Sequence, residues 1–490
     1  MRCIKILAYL WLIPFITLLA QKKVTSNLEI GSYGGSSQQL PFWLKSNKFG
    51  SVPETSSTIF TGFNSSSTPQ TYRKDTLNGR KKKILDWNYG FESVLSVGAT
   101  NNVSLIESYL SGRVGFVTLS IGRKKEIFGL VDTLLSSGSM AWSGNARPIP
   151  KVQLSTNGFV YVPFTNKLIA FQSSYAHGWL GELRVNPITR EEEDNRFNNY
   201  RNYLTTYLHQ KSFFLRLGKP TWKIKLIGGF VHIAQYGNER ILMPGAYSML
   251  TDKELYQKVV FGESWAQSKV GNHLGSIDVQ IDIKHKSLDF SLYRQNYFEN
   301  GSLLNALNRD GLTGITIINR NFNKNRNFQL KRAVIEHLYT NDQVDPLVPT
   351  SGSRNDYYNH DLYYDGWTYL GNLIGTPLAT IDRNLRENTG NKEFKGGYIA
   401  NNRIQALHIA ITGTSQKSID YTFKFSYSYN QGTYFFPFES SRTQISTYVE
   451  LQKSLRKVSN CIIKCSLGAD VGSLYKSNVG AYFGINKQWH

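Results

Sequence analysis

Cysteine is nearly absent, with three in 490 residues. That excludes a disulfide scaffold and a multi-cysteine zinc ribbon. Charged residues reach only 19%, below the usual share of about a quarter. Acidic ones are the scarcer kind: 35 Asp and Glu face 56 Lys and Arg, for a net charge of +21. Beyond the first twenty residues no stretch approaches the roughly 18 consecutive apolar residues of a membrane helix. With a mean hydropathy of −0.34, a polytopic helical membrane protein is excluded. Apolar residues at 40% and aromatics at 13% equally exclude wholesale disorder. Catalytic signatures are missing as well. There is no G-x-S-x-G elbow, H-E-x-x-H pair, phosphate-binding loop or G-x-G-x-x-G turn.

The first twenty residues form an address. Arg2 and Lys5 precede an apolar run from Ile6 to Leu19, interrupted by Pro14 and Thr17, and Ala20 supplies a small residue for cleavage. Residues 1–20 are therefore expected to be a signal peptide, and 21–490 a single domain. Cys3 precedes the apolar run, so it is not placed to become a lipidated N-terminus. An exported chain without a helical span is either soluble or a closed β-barrel, because only helices and barrels pair every backbone group inside lipid.

The period of the chain is two. Ile419, Tyr421, Phe423, Phe425, Tyr427 and Tyr429 alternate with Asp420, Thr422, Lys424, Ser426, Ser428 and Asn430, so one strand face is apolar and the other polar. Ile277 to Lys284 repeats the pattern, and after a minimal turn Leu288, Phe290 and Leu292 continue it. Trp87, Tyr89, Phe91, Leu95 and Val97 share another such face. Cys461 and Cys465 share one with Ile463 and Leu467; about 13 Å apart on an extended strand, they are too distant for a disulfide and suit a lipid-facing surface. A β-sandwich also alternates. Long strands, a Tyr/Phe-dense apolar face and a charged opposite face favour the membrane. The expectation is an all-β protein, a transmembrane antiparallel β-barrel. Asn478-Val-Gly-Ala-Tyr-Phe-Gly-Ile485 has the polar-x-Gly-x-x-aromatic-x-apolar form of a barrel-insertion signal; it stops short of the end, where Trp489 is the alternative terminal aromatic.

Between strands, residues 51–84 are Ser/Thr-rich with Pro53 and Pro69 and read as a long loop. They end on Arg80-Lys-Lys-Lys83, either a phosphate-contacting cluster or a solvated loop end. Glu191-Glu-Glu-Asp194 is its acidic counterpart, a cation site or, more simply, an exposed loop or helix start. Gly245 to Val260 reads as a short helix at the barrel rim. The basic residues are dispersed without a nucleic-acid recognition motif, so a membrane surface or an acidic polysaccharide suits the charge better. The nine histidines show no metal-ligand spacing. His177 and His232 stand out, and each reads as packed inside the barrel rather than as a base. No metal, cofactor or catalytic residue is expected.

Several segments together resemble the capsule assembly protein Wzi family. They are Leu40 to Gly50, Gly122-Arg-Lys-Lys125, Leu135 to Pro150, Tyr175-Ala-His-Gly-Trp179 and Gly229 to Tyr236. After them come Tyr293 to Gly301, Asn308 to Leu312, Asp356 to His360, Gly366-Trp-Thr-Tyr369, Ile374 to Leu378 and Asn401-Asn-Arg403. The resemblance implies a lectin-like, non-catalytic outer-membrane barrel of about 18 strands (16–18), with short helical elements at the periplasmic side or in loops, that helps attach capsular or extracellular polysaccharide to the cell surface. Partners would be that polysaccharide and outer-membrane lipid or lipopolysaccharide, with the chain a monomer. The family supplies no contact motif to carry over. The candidate ligand contacts are therefore chosen on chemistry: Trp142 and Arg147, an aromatic face and a guanidinium in one Gly/Ser/Pro-rich loop, then Arg294, Asp310, Trp367 and Arg403. For each, lumen packing or an ion pair is the competing role. The polar faces of Asp278, Gln280 and Asp282 keep open an alternative, a porin or substrate-specific channel.

Overall fold

A computed structural model describes residues 23–67, 85–98, 101–185, 202–265, 268–299, 309–321, 327–343, 355–386, 399–415, 419–455 and 460–489. The expected signal peptide, Arg80–Lys83 and Glu191–Asp194 lie outside them. Eighteen strands close into one antiparallel barrel. In chain order they are β1 Val24–Gly35, β2 Thr58–Ser67, β3 Leu85–Val97, β4 Asn102–Val114, β5 Val117–Arg123 and β6 Pro150–Thr156. Next come β7 Ile169–Val185, β8 Asn202–Leu217, β9 Ile224–Tyr236, β10 Asn272–His285, β11 Leu288–Phe298 and β12 Gly311–Asn319. The last six are β13 Phe328–Tyr339, β14 Ile404–Ser415, β15 Ile419–Gly432, β16 Pro437–Leu455, β17 Cys461–Gly472 and β18 Asn478–Trp489. A two-residue piece, Val160–Tyr161, extends the sheet beside β7. Each strand pairs with its chain neighbour, and β1 also pairs with β18, Gly31 opposite Gly484 and Tyr33 opposite Tyr482. That last ladder leaves no open edge.

Alternation places the residues as their period demands. Val279, Ile281, Leu407, Leu467 and Phe483 are exposed on the outer wall, and Cys465 lies there too. Asp278, Glu336, Lys424, Ser426 and Asn430 are buried within. Among the described residues no helix is long and apolar enough to cross a membrane.

The two ends differ. Turns such as Gly115–Phe116 and Lys286–Ser287 close one end, which also holds Val24 and Trp489. The other end carries the long connections 36–57, 124–149 and 340–403. In outer-membrane barrels short turns face the periplasm and long loops face outward.

The 51–84 loop is corrected. Thr58–Ser67 is a strand, its Ile59 and Phe63 exposed outward. The Ser and Thr residues that suggested a loop make hydroxyl contacts across the sheet instead, Ser65 Oγ lying 3.1 Å from Ser26 Oγ and 3.2 Å from the Tyr89 hydroxyl. The helical elements sit in the long-loop end: α1 Phe42–Lys45, α2 Glu239–Leu242, α3 Pro244–Tyr247 and α4 Asp252–Phe261. The single rim helix expected over 245–260 is thus two pieces. Thr251 caps α4 through reciprocal hydrogen bonds with Glu254, and α4 lies against the outer wall, Leu255 and Val259 packing with Ala234 and Val270. His232 shares the outward parity of Leu226 and Phe230, and His177 pairs with outward His209. Both histidines therefore lie on the outer wall and not inside the barrel. His232 bonds His273 at 2.9 Å, and the Tyr236 hydroxyl bonds His177 Nδ1 at 2.8 Å.

The outward face makes a direct demand. Leu467→Arg puts a charge near the middle of a lipid-facing strand and should destabilise the barrel by about 2–4 kcal/mol, read by urea unfolding in lipid vesicles. Unchanged stability would mean that this wall faces water.

Candidate functional site

A barrel of this girth would hold an open lumen, but the 124–149 loop folds into it. Buried carboxylates on the wall fasten the loop. Asp278 accepts from the Leu130 amide at 2.7 Å and from Gln295 at 2.8 Å, and Gln295 in turn accepts from the Met140 amide at 3.1 Å. Three strands along the same wall Glu336 accepts from the Ser137 amide and hydroxyl, each at 2.6 Å, and from Tyr293 at 2.6 Å. Arg332 pairs with Asp132 at 2.7 Å, and His408 meets the Leu135 carbonyl at 2.8 Å. Asp278, read from sequence as a channel face, is a tether for the plug.

The other long connections stack on this floor. Ser143 donates to the Gly375 carbonyl at 2.6 Å and Asn145 to Leu373 at 3.0 Å. Tyr358 donates to Met140 at 2.8 Å, and the Phe49 amide to Gly144 at 2.5 Å. Trp43, Met140, Tyr297, Tyr358 and Trp367 are buried between them and give the plug its own apolar core. Gly50 marks how tightly the loops approach. Its φ is +59°, and a Cβ there would meet Arg147 Cγ at 2.6 Å, so only glycine fits.

This knitting decides where the six candidate contacts fall. Trp142 is buried, its Nε1 donating to the Glu126 carbonyl at 3.2 Å. Trp367 is buried with Nε1 on Asn272 Oδ1 at 3.1 Å. Asp310 is buried and accepts from the amides of Asp342 (3.0 Å) and Gln343 (2.5 Å) and from Tyr357 (2.8 Å). Arg294 projects on the outward face, where it donates to Thr313 at 2.7 Å and to the Arg309 carbonyl at 2.8 Å. These four serve as braces for loops, and their polar groups are already engaged. Arg403 stacks over Tyr434 at 4.0 Å on the rim. Arg147 alone of the six reaches the central mouth.

There it has company that no sequence pattern announced. Arg123, at the end of β5, lies over the Tyr369 ring at 5.6 Å and donates to the Pro148 carbonyl at 2.9 Å. Burial pulls the Arg147 guanidinium below its ordinary pKa, and the like charge of Arg123 adds to this. Beside Gly50 opens a cleft of about 70 Å³ lined by Lys45, Glu54, Asn145, Arg383 and Lys476. Arg383 pairs with Glu54 at 3.1 Å. Lys45, Arg123, Arg147 and Lys476 have no carboxylate partner among the described residues. Burial lowers the Lys45 pKa, which Glu54 and Asp470 partly offset. Four cations sharing one carboxylate neighbourhood form a seam suited to an acidic, hydroxyl-bearing ligand. Among the described residues no group of three or more His, Cys, Asp or Glu side chains is arranged to hold a metal.

The model of the family described as capsule assembly protein Wzi matches residues 45–386. Among solved structures, the chain resembles Wzi of Escherichia coli, described as an outer-membrane, carbohydrate-binding β-barrel involved in group 1 capsule assembly. The TM-score is 0.54 at 14% identity, over 94% of this chain and 83% of that one. OccK5 (OpdH) and OpdQ of Pseudomonas aeruginosa align at 8% identity with TM-scores of 0.47 and 0.46. Each covers 96% of this chain, and the alignments take in 98% and 99% of theirs. At these identities the likeness is one of fold. No curated protein matches the sequence.

The loop braces are pH-sensitive in a defined direction. Burial lifts the Glu299 carboxyl well above its ordinary value, against the Tyr358 amide that donates to it at 2.8 Å. A raised native pKa means stability held at acid pH and lost as pH rises through that value. Glu299→Gln, neutral throughout, should therefore be more stable than the parent at pH 8 by about 1–3 kcal/mol, with the difference vanishing toward pH 4. Equal melting curves at both pH values would refute the assignment.

Proposed function

The chain belongs to the capsule assembly protein Wzi family, and from that premise we propose that it binds capsular or extracellular polysaccharide at the outer mouth of its barrel and helps assemble or anchor it on the cell. The single observation that supports the site is the cationic seam of Lys45, Arg123, Arg147 and Lys476, which faces outward over a sealed lumen. Its charges fit the carboxylates of an acidic glycan, and the neighbouring Asn372 amide fits a sugar hydroxyl. Arg403 over Tyr434 extends the contact surface along the rim. The protein acts by holding a polymer rather than transforming it. The plug favours this over a conducting channel, because the 124–149 loop fills the lumen and the wall carboxylates Asp278 and Glu336 are engaged in fastening it. Lipopolysaccharide and acyl chains surround the outer wall, and a monomer presents the mouth unobstructed.

Deleting the gene should release polysaccharide into the medium without stopping its synthesis; unchanged cell-bound polymer would overturn the reading. At the residue level, Arg147→Ala with Arg383→Ala should weaken co-sedimentation of purified protein with the host's own polymer by about tenfold or more. Wild-type binding should weaken as salt rises, because the contacts are charge-based. Binding indifferent to both salt and the double substitution would move the site elsewhere.

A further inference from the structure

Below the plug lies a second cavity, of about 400 Å³, in the half of the lumen nearest the short turns. Asn88 of β3, Arg113 of β4, Gln153 of β6, Gln172 of β7 and Phe214 of β8 line it, and Phe128 of the plug contributes to its roof. Its charges are already matched. Arg113 pairs with Asp86 at 3.5 Å, and Glu126 with Lys124 at 3.4 Å and Lys151 at 2.8 Å. Its serines pair across strands as well, Ser111 with Ser120 and Ser174 with Ser212, both at 2.7 Å. The amides are different. Asn88 and Gln172 make no side-chain hydrogen bond among the described residues. Gln153 donates to Glu126 at 2.9 Å, but its buried Oε1 accepts from nothing among the described residues.

Unmatched amides converging on a space beside an apolar patch specify a ligand chemistry. Each amide offers a donor and an acceptor, the pair that adjacent sugar hydroxyls require. Phe128 and Phe214 can meet the C–H face of a ring. With every lining charge neutralised, the space gives no purchase to an anion or a cation. Its volume falls in the range of about 300–1,000 Å³ of small-ligand sites, room for roughly two or three sugar rings. We propose that this vestibule is a second binding site, for a short neutral oligosaccharide approaching from the short-turn end. It differs from the outer seam in both sidedness and charge, and it does not rest on the outer seam's role.

Calorimetric titration of the full chain in detergent with maltotriose and cellotriose tests the proposal. Saturable binding of at least one probe is expected, insensitive to salt. Asn88→Leu with Gln172→Leu should weaken it about tenfold, and Arg147→Ala with Arg383→Ala should leave it unchanged. Should the leucine pair fail to fold, Gln172→Trp, which fills the space, should abolish binding. No binding of either probe, or binding that survives the vestibule substitutions, would overturn the site. Loss on the outer-seam substitutions alone would overturn it too, by assigning the sugar to the mouth. Competition separates the source. Neutral oligosaccharides cut from the host's polymer displacing maltotriose would support the polymer's inner end as ligand. The reverse preference would support a free periplasmic sugar.

Discussion

In hydrocarbon no water is available to satisfy a peptide group, and this requirement governs the molecule. A sheet in lipid has to close, and it closes where β18 returns to β1, opposite the same residues that alternate along β1 itself. Closure settles the rest of the arrangement. Once the ring is sealed, every second side chain faces acyl chains and every other one faces the interior. The long connections at one end then have only two directions available, outward or into the lumen. Three of them turn in.

The inward face explains how they stay there. Asp278 and Glu336 are carboxylates buried in the wall, and a buried charge is tolerated only when donors surround it. The plug supplies those donors from its own backbone at Leu130 and Ser137. Wall and plug therefore complete each other. The barrel's polar face would be unsatisfied around a dry interior, and the plug's turns would be unsatisfied away from the wall. The same partition divides the lumen into an outer mouth where Lys45, Arg123, Arg147 and Lys476 lack a carboxylate partner among the described residues and an inner vestibule whose charges are matched but whose amides are not. An outer-membrane barrel that holds an acidic polymer at its mouth needs the first feature. The second is what a neutral ligand would use.

Much of this was legible in the chain. The alternation at Ile419–Asn430 and at Ile277–Lys284 assigned faces that the structure keeps residue for residue, and the barrel class followed; the strand number near eighteen came from the family resemblance. The Thr58–Ser67 strand escaped because Ser and Thr stand on both of its faces, Thr58 and Ser66 inside and Thr61 and Ser65 outside, and such residues serve loops and strands equally. His177 and His232 were placed on the wrong side of the wall, since α4 hides them from lipid and so removes the apolar mark of an outward position. Of the six chemically chosen contacts, Trp142, Asp310 and Trp367 are the kind of residue a binding site uses, but the same large or polar groups also brace a folded loop. A side chain's chemistry does not distinguish these roles.

The sequence by itself determined the strand period, the two faces of the wall and an excess of positive charge, because these properties are carried by single residues or by neighbours one or two positions apart. Only the tertiary structure decided that the lumen is closed and that Lys45, Arg123, Arg147, Arg383 and Lys476 meet at one mouth. Those residues come from segments separated by tens to hundreds of positions, and what unites them is ring closure and the burial of Asp278 and Glu336. No local pattern records a contact of that range.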